Sequence, residues 1–304
     1  MMMNVGRRWA AAFALAAVAC TIGLAALESA GHSPKQASSS QPSDWPVDIL
    51  AGRADGVLVV AHRARSRTGA VENSLEAMTW AMADRVPMVE IDVRLTRDGC
   101  PVLMHDRSLR RTAAVQRNVD ELDLAALRQH RLKGNGEPIP TLDEALARAG
   151  GQMLLVLDVK VDGLAPVVRV IENADAFETT LLYVTPARRE RAAVELMRRY
   201  PRLRVMMQAG GQDDLLRIIG YDPHPPVIQI DGRRPDPQLC RAIRDAGFLV
   251  FVYPRGWARL RFGNDLNRYR KMGVTFVQTD RPTAMLDQMR HINLSPTTHG
   301  DRNE

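Results

Sequence analysis

Val57-Leu58-Val59-Val60-Ala61-His62, then a helical pattern, then Met88-Val89-Glu90-Ile91-Asp92: the reading of this stretch decides the fold. Each apolar run is too short for an ordinary helix and too apolar for an exposed edge. That suits a parallel strand buried on both faces. Between the runs, Ser74–Arg85 has helical spacing and opens on Asn73-Ser74, residue types that cap helices. The alternation repeats along the chain. Strands are expected at Val57–Ala61, Met88–Asp92, Met153–Asp158, Leu181–Thr185, Leu203–Gln208, Val227–Ile230, Phe248–Tyr253 and Thr275–Gln278. Further helices are expected at Leu142–Ala149, Ala165–Asn173, Ala187–Tyr200, Asp213–Ile219, Pro237–Ala246 and Asn264–Met272. Thr141 reads as another cap, and Gly247 and Gly273 as helix stops. This order predicts an α/β fold, a (β/α)8 TIM-type barrel. Its functional site belongs at the C-terminal strand ends, where Asp92, Asp158 and Asp280 fall.

A small hairpin insertion is expected after the second strand, from Asp92 to His105. Asp98-Gly99 is a strong signal for a two-residue turn. That turn pairs Pro101 with Thr96, where a missing N–H costs nothing. It also sets Asp92 opposite His105. A three-residue loop would shift this register.

The chain has 304 residues, 45% of them hydrophobic and 25% charged, with a formal net charge of +6. The positive charge is mostly arginine and is spread along the chain. There is no basic run with interleaved aromatics, no zinc-finger spacing and no helix-turn-helix signal, so no nucleic-acid partner is expected. Of the three cysteines, Cys100 and Cys240 are read as separate thiols, and no CxxC occurs. Arg7-Arg8 ahead of the apolar run Trp9–Leu27 reads as a signal peptide or membrane anchor over 1–30, with lipid attachment at Cys20 as a third option. Residues 31–46 read as a flexible linker, 47–292 as the barrel and 293–304 as a polar tail. The expected location is outside the cytoplasm: the bacterial periplasm, or anchored to the inner membrane facing it. Membrane association would run through the N-terminus.

Glu90 and Asp92 lie two apart on a strand and so share a face. Two such carboxylates repel unless a cation joins them, and Asp158 would be a third ligand. Oxygen-only ligands favour Ca²⁺ or Mg²⁺ over zinc. Salt bridges to Arg94 and Lys160 are the alternative. His62, at a strand end, and His105 form a candidate acid–base pair beside the acids. Arg63 can grip phosphate oxygens bidentately, and Lys160 can add a point charge. Glu72 and Asn73 either contact the metal or hold the loop, and Asn73 could equally cap the helix. A histidine pair with a carboxylate metal site is suited to cleaving a phosphodiester.

In order, the motifs are His62-Arg63-Ala64, Val71-Glu72-Asn73-Ser74, Glu90-Ile91-Asp92-Val93, Thr96-Arg97-Asp98-Gly99, His105-Asp106, Ile139-Pro140-Thr141-Leu142, Asp158-Val159-Lys160 and Thr279-Asp280-Arg281-Pro282. This set resembles the glycerophosphodiester phosphodiesterase family from about Val57 to Pro282. The resemblance implies the same barrel and hydrolysis of a glycerophosphodiester, or a related lipid head group, to glycerol 3-phosphate and an alcohol. It implies His62 and His105 as the catalytic pair, Glu90, Asp92 and Asp158 as metal ligands, and Arg63 and Lys160 as phosphate binders. Four departures stand out: Ala64 for Gly, which should disfavour φ > 0 there; Val71 for Pro; Asp158 for Glu; and Phe251-Val252-Tyr253-Pro254 for a Trp-Thr-x-Asn-like segment. They keep open a non-catalytic barrel that binds a phosphorylated ligand, while the N-terminal anchor and basic surface keep open a phospholipase D-like or C-like enzyme on lipids.

Overall fold

The computed structural model describes residues 47–50, 57–230, 235–254 and 266–294. The expected leader and linker over 1–46, Cys20 among them, lie outside the described residues, and so does the expected tail beyond Leu294. Among the described residues no helix is long and apolar enough to cross a membrane.

The strands are β1 (Leu58–Ala61), β2 (Met88–Leu95), β3 (Pro101–Leu103), β4 (Leu154–Val159), β5 (Thr180–Val184), β6 (Val205–Ala209), β7 (Val227–Ile230), β8 (Leu249–Val252) and β9 (Phe276–Thr279). Apart from β3 they pair in parallel, in the order β1-β9-β8-β7-β6-β5-β4-β2, and β1 pairs back to β2, which closes the barrel. β3 hangs antiparallel on β2. Every expected barrel strand and helix is present, with ends shifted by a few residues. The expected (β/α)8 barrel is the observed fold.

Period two along each strand sorts the side chains into two cores. Leu58, Val60, Met88, Leu154, Val156, Leu181, Met206, Val227, Phe251 and Phe276 fill the interior. Alternate residues such as Val59, Val89, Ile91, Leu155, Leu157 and Val250 face the helices. Each large side chain fully buried this way contributes about 1.5–3 kcal/mol. The parity that sends Leu154 and Val156 inward sends Asp158 inward one step higher. The same step places Glu90 and Asp92 above Met88, His62 above Val60, and Gln278 above Phe276. The barrel is therefore apolar below and polar at its C-terminal mouth.

The hairpin departs from its expected register. Leu95 pairs with Pro101 and Val93 with Leu103, one residue off the two-residue turn. Thr96 N donates to Cys100 O at 3.0 Å around a three-residue loop, and Gly99 takes φ +81 at its end. That is the type I turn plus left-handed glycine of three-residue hairpins. Asp98 selects it by accepting from Thr96 Oγ1 at 2.5 Å and from Leu124 N at 3.1 Å. Asp92 consequently opposes Met104, whose N–H it receives at 3.0 Å, rather than His105.

The insertion is also larger than a hairpin. After β3 the chain forms short helices Arg110–Ala113 and Leu124–Leu127 before rejoining the barrel at helix Leu142–Ala149. It has its own apolar cluster, including Val102, Met104, Leu109, Val119, Leu127 and Ile139. Glu137 ties it to the barrel by accepting from Leu75 N and Glu76 N, both at 3.0 Å, at the start of helix Leu75–Ala83. A carboxylate there satisfies orphan N–H groups and the helix dipole.

Candidate active site

Glu90, Asp92 and Asp158 each present an oxygen within 4.8 Å of the others. Backbone register produces this: Asp92 and Asp158 are direct partners on the parallel strands β2 and β4, and Glu90 sits two residues down the same face. Like charges opposite one another on a sheet are destabilising. Burial first, then Asp92 and Asp158, push the Glu90 carboxyl well above the usual range. Burial also raises Asp158, against the opposing charge of Lys160. Asp92 feels the same burial, but Lys160 and a hydrogen bond from Asn73 outweigh it and hold its pKa below normal.

Lys160 Nζ lies 3.0 Å from Asp92 Oδ1 and 2.5 Å from Asp158 Oδ2. Asp92 Oδ1 is buried, and the Lys160 ammonium is its charged partner. Arg94 turns instead to the His105 carbonyl, 2.9 Å away. The Lys160 ammonium and the Arg63 guanidinium, whose Nε lies 3.4 Å from Asp92 Oδ2, thus face three carboxylates, two of them raised toward their protonated forms. An all-oxygen set of three carboxylates converging this closely fits a hard divalent cation.

Both histidines are held at Nδ1 by an aspartate. His62 Nδ1 donates to Asp280 Oδ1 at 2.8 Å, with Tyr253 Oη 2.9 Å from the same nitrogen. His62 Nε2 is left 3.9 Å from Glu90 Oε2. Burial, opposed by Asp280 and aided by Arg63, lowers the His62 pKa and favours the neutral ring. His105 Nδ1 donates to Asp106 Oδ1 at 2.7 Å, and its side chain is 35% exposed against 13% for His62. A charge on His105 would act on Asp92 and Asp158, so the residue lies within electrostatic reach of the cluster without the expected strand pairing.

The loop after β1 is strained. Arg63 and Ala64 take φ +54 and +60, although alanine should resist this. Left-handed residues cost roughly 1–2 kcal/mol each. Two contacts hold the loop there: Arg63 N donates to Glu90 Oε2 at 2.9 Å, and Arg63 O accepts from Asn73 N at 3.1 Å. The alanine that replaces glycine is fully buried and is tolerated.

Asn73 is not the helix cap. Ser74 is, accepting from Ala77 N at 3.0 Å. Asn73 Nδ2 donates to Asp92 Oδ2 at 2.8 Å and its Oδ1 accepts from Asp92 N at 2.9 Å, which fixes the carboxylate. Glu72 bonds Arg63 Nη1 at 3.0 Å and Arg111 Nη2 at 2.6 Å. Arg111 also holds Asp106 at 2.5 Å, and Arg63 Nε lies 3.4 Å from Asp92 Oδ2. A polar chain therefore runs His105–Asp106–Arg111–Glu72–Arg63–Asp92.

The sequence reading brought together His62, His105, Glu90, Asp92, Asp158, Lys160, Arg63, Glu72 and Asn73. It gave no role to Tyr253, Arg111 or Gln278, whose Nε2 reaches Glu90 Oε2 at 3.3 Å, and saw Asp280 only as a strand-end acid. Inward parity on β8 and β9 was the available signal for Tyr253, Gln278 and Asp280.

Residues 62–163 match the Glycerophosphoryl diester phosphodiesterase family. The chain is 35% identical over 146 residues to the "Probable glycerophosphodiester phosphodiesterase 2" of Mycobacterium tuberculosis, a match covering 48% of this chain and 54% of that protein. It is 26% identical over 250 residues to the "Glycerophosphodiester phosphodiesterase" of Caldanaerobacter subterraneus, covering 77% and 98%. The match to the bovine "Glycerophosphodiester phosphodiesterase 1", 37% identical, spans only 38% of that relative. Among solved structures, an Oleispira antarctica phosphodiesterase in complex with the product sn-glycerol-3-phosphate superposes with a TM-score of 0.65 at 24% identity, covering 77% of this chain and 96% of that one.

Proposed function

We propose that this chain, which belongs to the glycerophosphodiester phosphodiesterase family, hydrolyses glycerophosphodiesters to glycerol 3-phosphate and an alcohol. One observation carries the reading: two histidines, each held at Nδ1 by an aspartate, beside a cluster of three carboxylates. The product named in the Oleispira complex supports the substrate class.

Glu90, Asp92 and Asp158 would hold the cation, and their oxygen-only chemistry supports Ca²⁺ or Mg²⁺. When bound, such an ion supplies Lewis-acid polarisation of the phosphoryl oxygens. The protein's own groups do the rest. Asp280 keeps the proton of neutral His62 on Nδ1, so Nε2 can accept one. As the water oxygen bonds to phosphorus, its proton passes to His62 Nε2. The bond from phosphorus to the alcohol oxygen breaks, and that oxygen takes a proton from Nε2 of His105. Asp106 holds His105 at Nδ1 and so leaves Nε2 turned to the alcohol oxygen in this scheme. Arg63 and Lys160 add positive charge at the mouth for the phosphate, while Glu72 and Asn73 hold Arg63 and Asp92 in place. Arg7-Arg8 and the apolar run after them support an exported enzyme, in the periplasm or anchored facing it.

The test is release of glycerol 3-phosphate from glycerophosphoglycerol by the full chain, with Ca²⁺, with Mg²⁺ and with EDTA. Release should need a divalent ion and fall about 10²–10⁴-fold in His62→Ala and in His105→Ala. Release that survives EDTA or either substitution would sink the proposal.

A further inference from the structure

The insertion that carries His105 also borders a wide, open basin of about 820 Å³. Its wall holds five cations, Arg94, Arg107, Arg110, Arg111 and Lys133, and one carboxylate, Asp106. Two of the cations are neutralised: Arg107 by Asp120 at 2.9 Å, and Arg111 by Asp106 and Glu72. Three are not. Among the described residues Arg94, Arg110 and Lys133 have no carboxylate within ion-pair reach. Arg94 donates to the His105 carbonyl at 2.9 Å, and Lys133 Nζ donates to the Arg110 carbonyl at 3.3 Å. Arg94 still feels the charge of Asp92, Asp106 and Asp120, so Arg110 and Lys133 are the cations that leave this concavity a surplus of positive charge, which lowers the energy of an anion placed there.

His105 joins this basin to the reaction, since the residue is part of the basin wall. Asp106 holds Nδ1, so Nε2 is the nitrogen that faces substrate chemistry. Under the hydrolysis proposed above, on which this inference rests, His105 protonates the departing alcohol. The space beside His105 is then where that alcohol sits. The carboxylate cluster lies in the barrel mouth, so metal and scissile phosphate have a separate place. A cationic alcohol such as choline would meet net positive charge in the basin. An alcohol bearing a negative group would meet Arg110 and Lys133.

We propose that this basin is the subsite for the leaving alcohol, and that it selects glycerophosphodiesters whose alcohol carries a further negative charge, such as a second phosphate. Bis(glycerophospho)glycerol has this chemistry: cleavage at one phosphorus releases glycerol 3-phosphate and leaves the second phosphodiester on the alcohol.

The experiment compares kcat/KM for bis(glycerophospho)glycerol and for glycerophosphocholine, using the full chain and its Arg110→Glu, Lys133→Glu and Arg110→Lys variants. The wild type should favour the anionic diester. The ratio should fall about tenfold in each glutamate variant, stay near wild type in Arg110→Lys, and shrink as salt rises. No preference in the wild type, or a ratio unmoved by charge reversal, overturns the proposal. If no diester is hydrolysed, the hydrolysis reading fails separately, and calorimetric binding of bis(glycerophospho)glycerol decides the subsite. Weaker binding by Arg110→Glu sustains it and equal binding overturns it. If the glutamate variants keep the ratio and lose only binding to phosphatidylglycerol vesicles, the basin meets a lipid surface and the proposal is wrong.

Discussion

Replacing Asp280 tests how the site sets the proton of His62. Asp280 Oδ1 accepts from His62 Nδ1 at 2.8 Å and from Arg65 Nη2 at 3.0 Å. Tyr253 Oη is 2.9 Å from the same His62 nitrogen. An ionised carboxylate only accepts, so Nδ1 keeps the proton and Nε2 stays bare. In Asp280→Ala the phenol can donate to Nδ1 instead, which moves the ring proton to Nε2 and blocks its work as a base. General-base catalysis contributes about 10²–10⁴-fold, so kcat for glycerol 3-phosphate release should fall by at least about 10². Asp280→Asn should be milder. Arg65 can only donate, so the amide turns its oxygen to Arg65 and His62, and only the charge is lost; about tenfold is expected. The sharpest arm is the double variant Asp280→Ala/Tyr253→Phe. Removing a phenol hydrogen bond of about 1 kcal/mol releases the wrong tautomer, and about fivefold of the rate should return over Asp280→Ala. The assay is steady-state release at saturating metal, with the change in kcat rather than KM. The reasoning fails if Asp280→Ala stays within about twofold of wild type, or if adding Tyr253→Phe lowers the rate further.

Asn73→Ala strips both hydrogen bonds from Asp92 and leaves alanine at φ +56, so denaturant melts should show about 2–4 kcal/mol lost; a loss under about 1 kcal/mol would contradict the role given to Asn73. Gly134 sits at φ +103, and a Cβ there would come within 2.9 Å of Val71 Cγ2. Gly134→Ala should cost about 1–3 kcal/mol, only partly recovered by Val71→Ala because the backbone strain remains; full recovery would deny the strain. Asp84, bonded by Arg67 Nη2 at 2.6 Å and Ser66 Oγ at 2.7 Å, has its pKa held low chiefly by the Arg67 hydrogen bond. A depressed folded pKa adds stability above the normal carboxylate range and loses it as pH falls through the folded value. Asp84→Asn should therefore cost about 1 kcal/mol at neutral pH, with the gap to wild type closing on acidification; a gap that widens in acid would refute the sign.

The parts of the fold that depend on local period were legible. Continuous apolar runs such as Leu154–Leu157 announce strands covered on both sides, and Thr141 announces a capped helix, observed with reciprocal hydrogen bonds to Glu144 of 3.2 and 2.9 Å. Glu90 and Asp92 were legible because two residues on one strand share a face. The hairpin register was not, because Asp98-Gly99 serves two loop lengths and the choice rests on Asp98 reaching Leu124 N, a contact 26 residues away. Tyr253 and Asp280 were illegible as partners of His62 because 191 and 218 residues of chain separate them, and barrel closure alone brings them together. Residues 106–141 gave little periodic signal: their helices are short, and their small core also draws on Val102 and Met104 from the hairpin.

The most direct test of the account is calorimetric titration of the full chain with Ca²⁺ and Mg²⁺, for wild type and Glu90→Gln, beside the rate of glycerol 3-phosphate release at each metal concentration. Changing a ligand should weaken binding by at least the roughly 10–100-fold that altering an outer hydrogen-bond partner costs. In wild type, binding and rate should rise together with one midpoint. Binding undiminished in Glu90→Gln, or full rate before the site fills, would contradict a cation held by Glu90, Asp92 and Asp158 as the centre of the proposed activity.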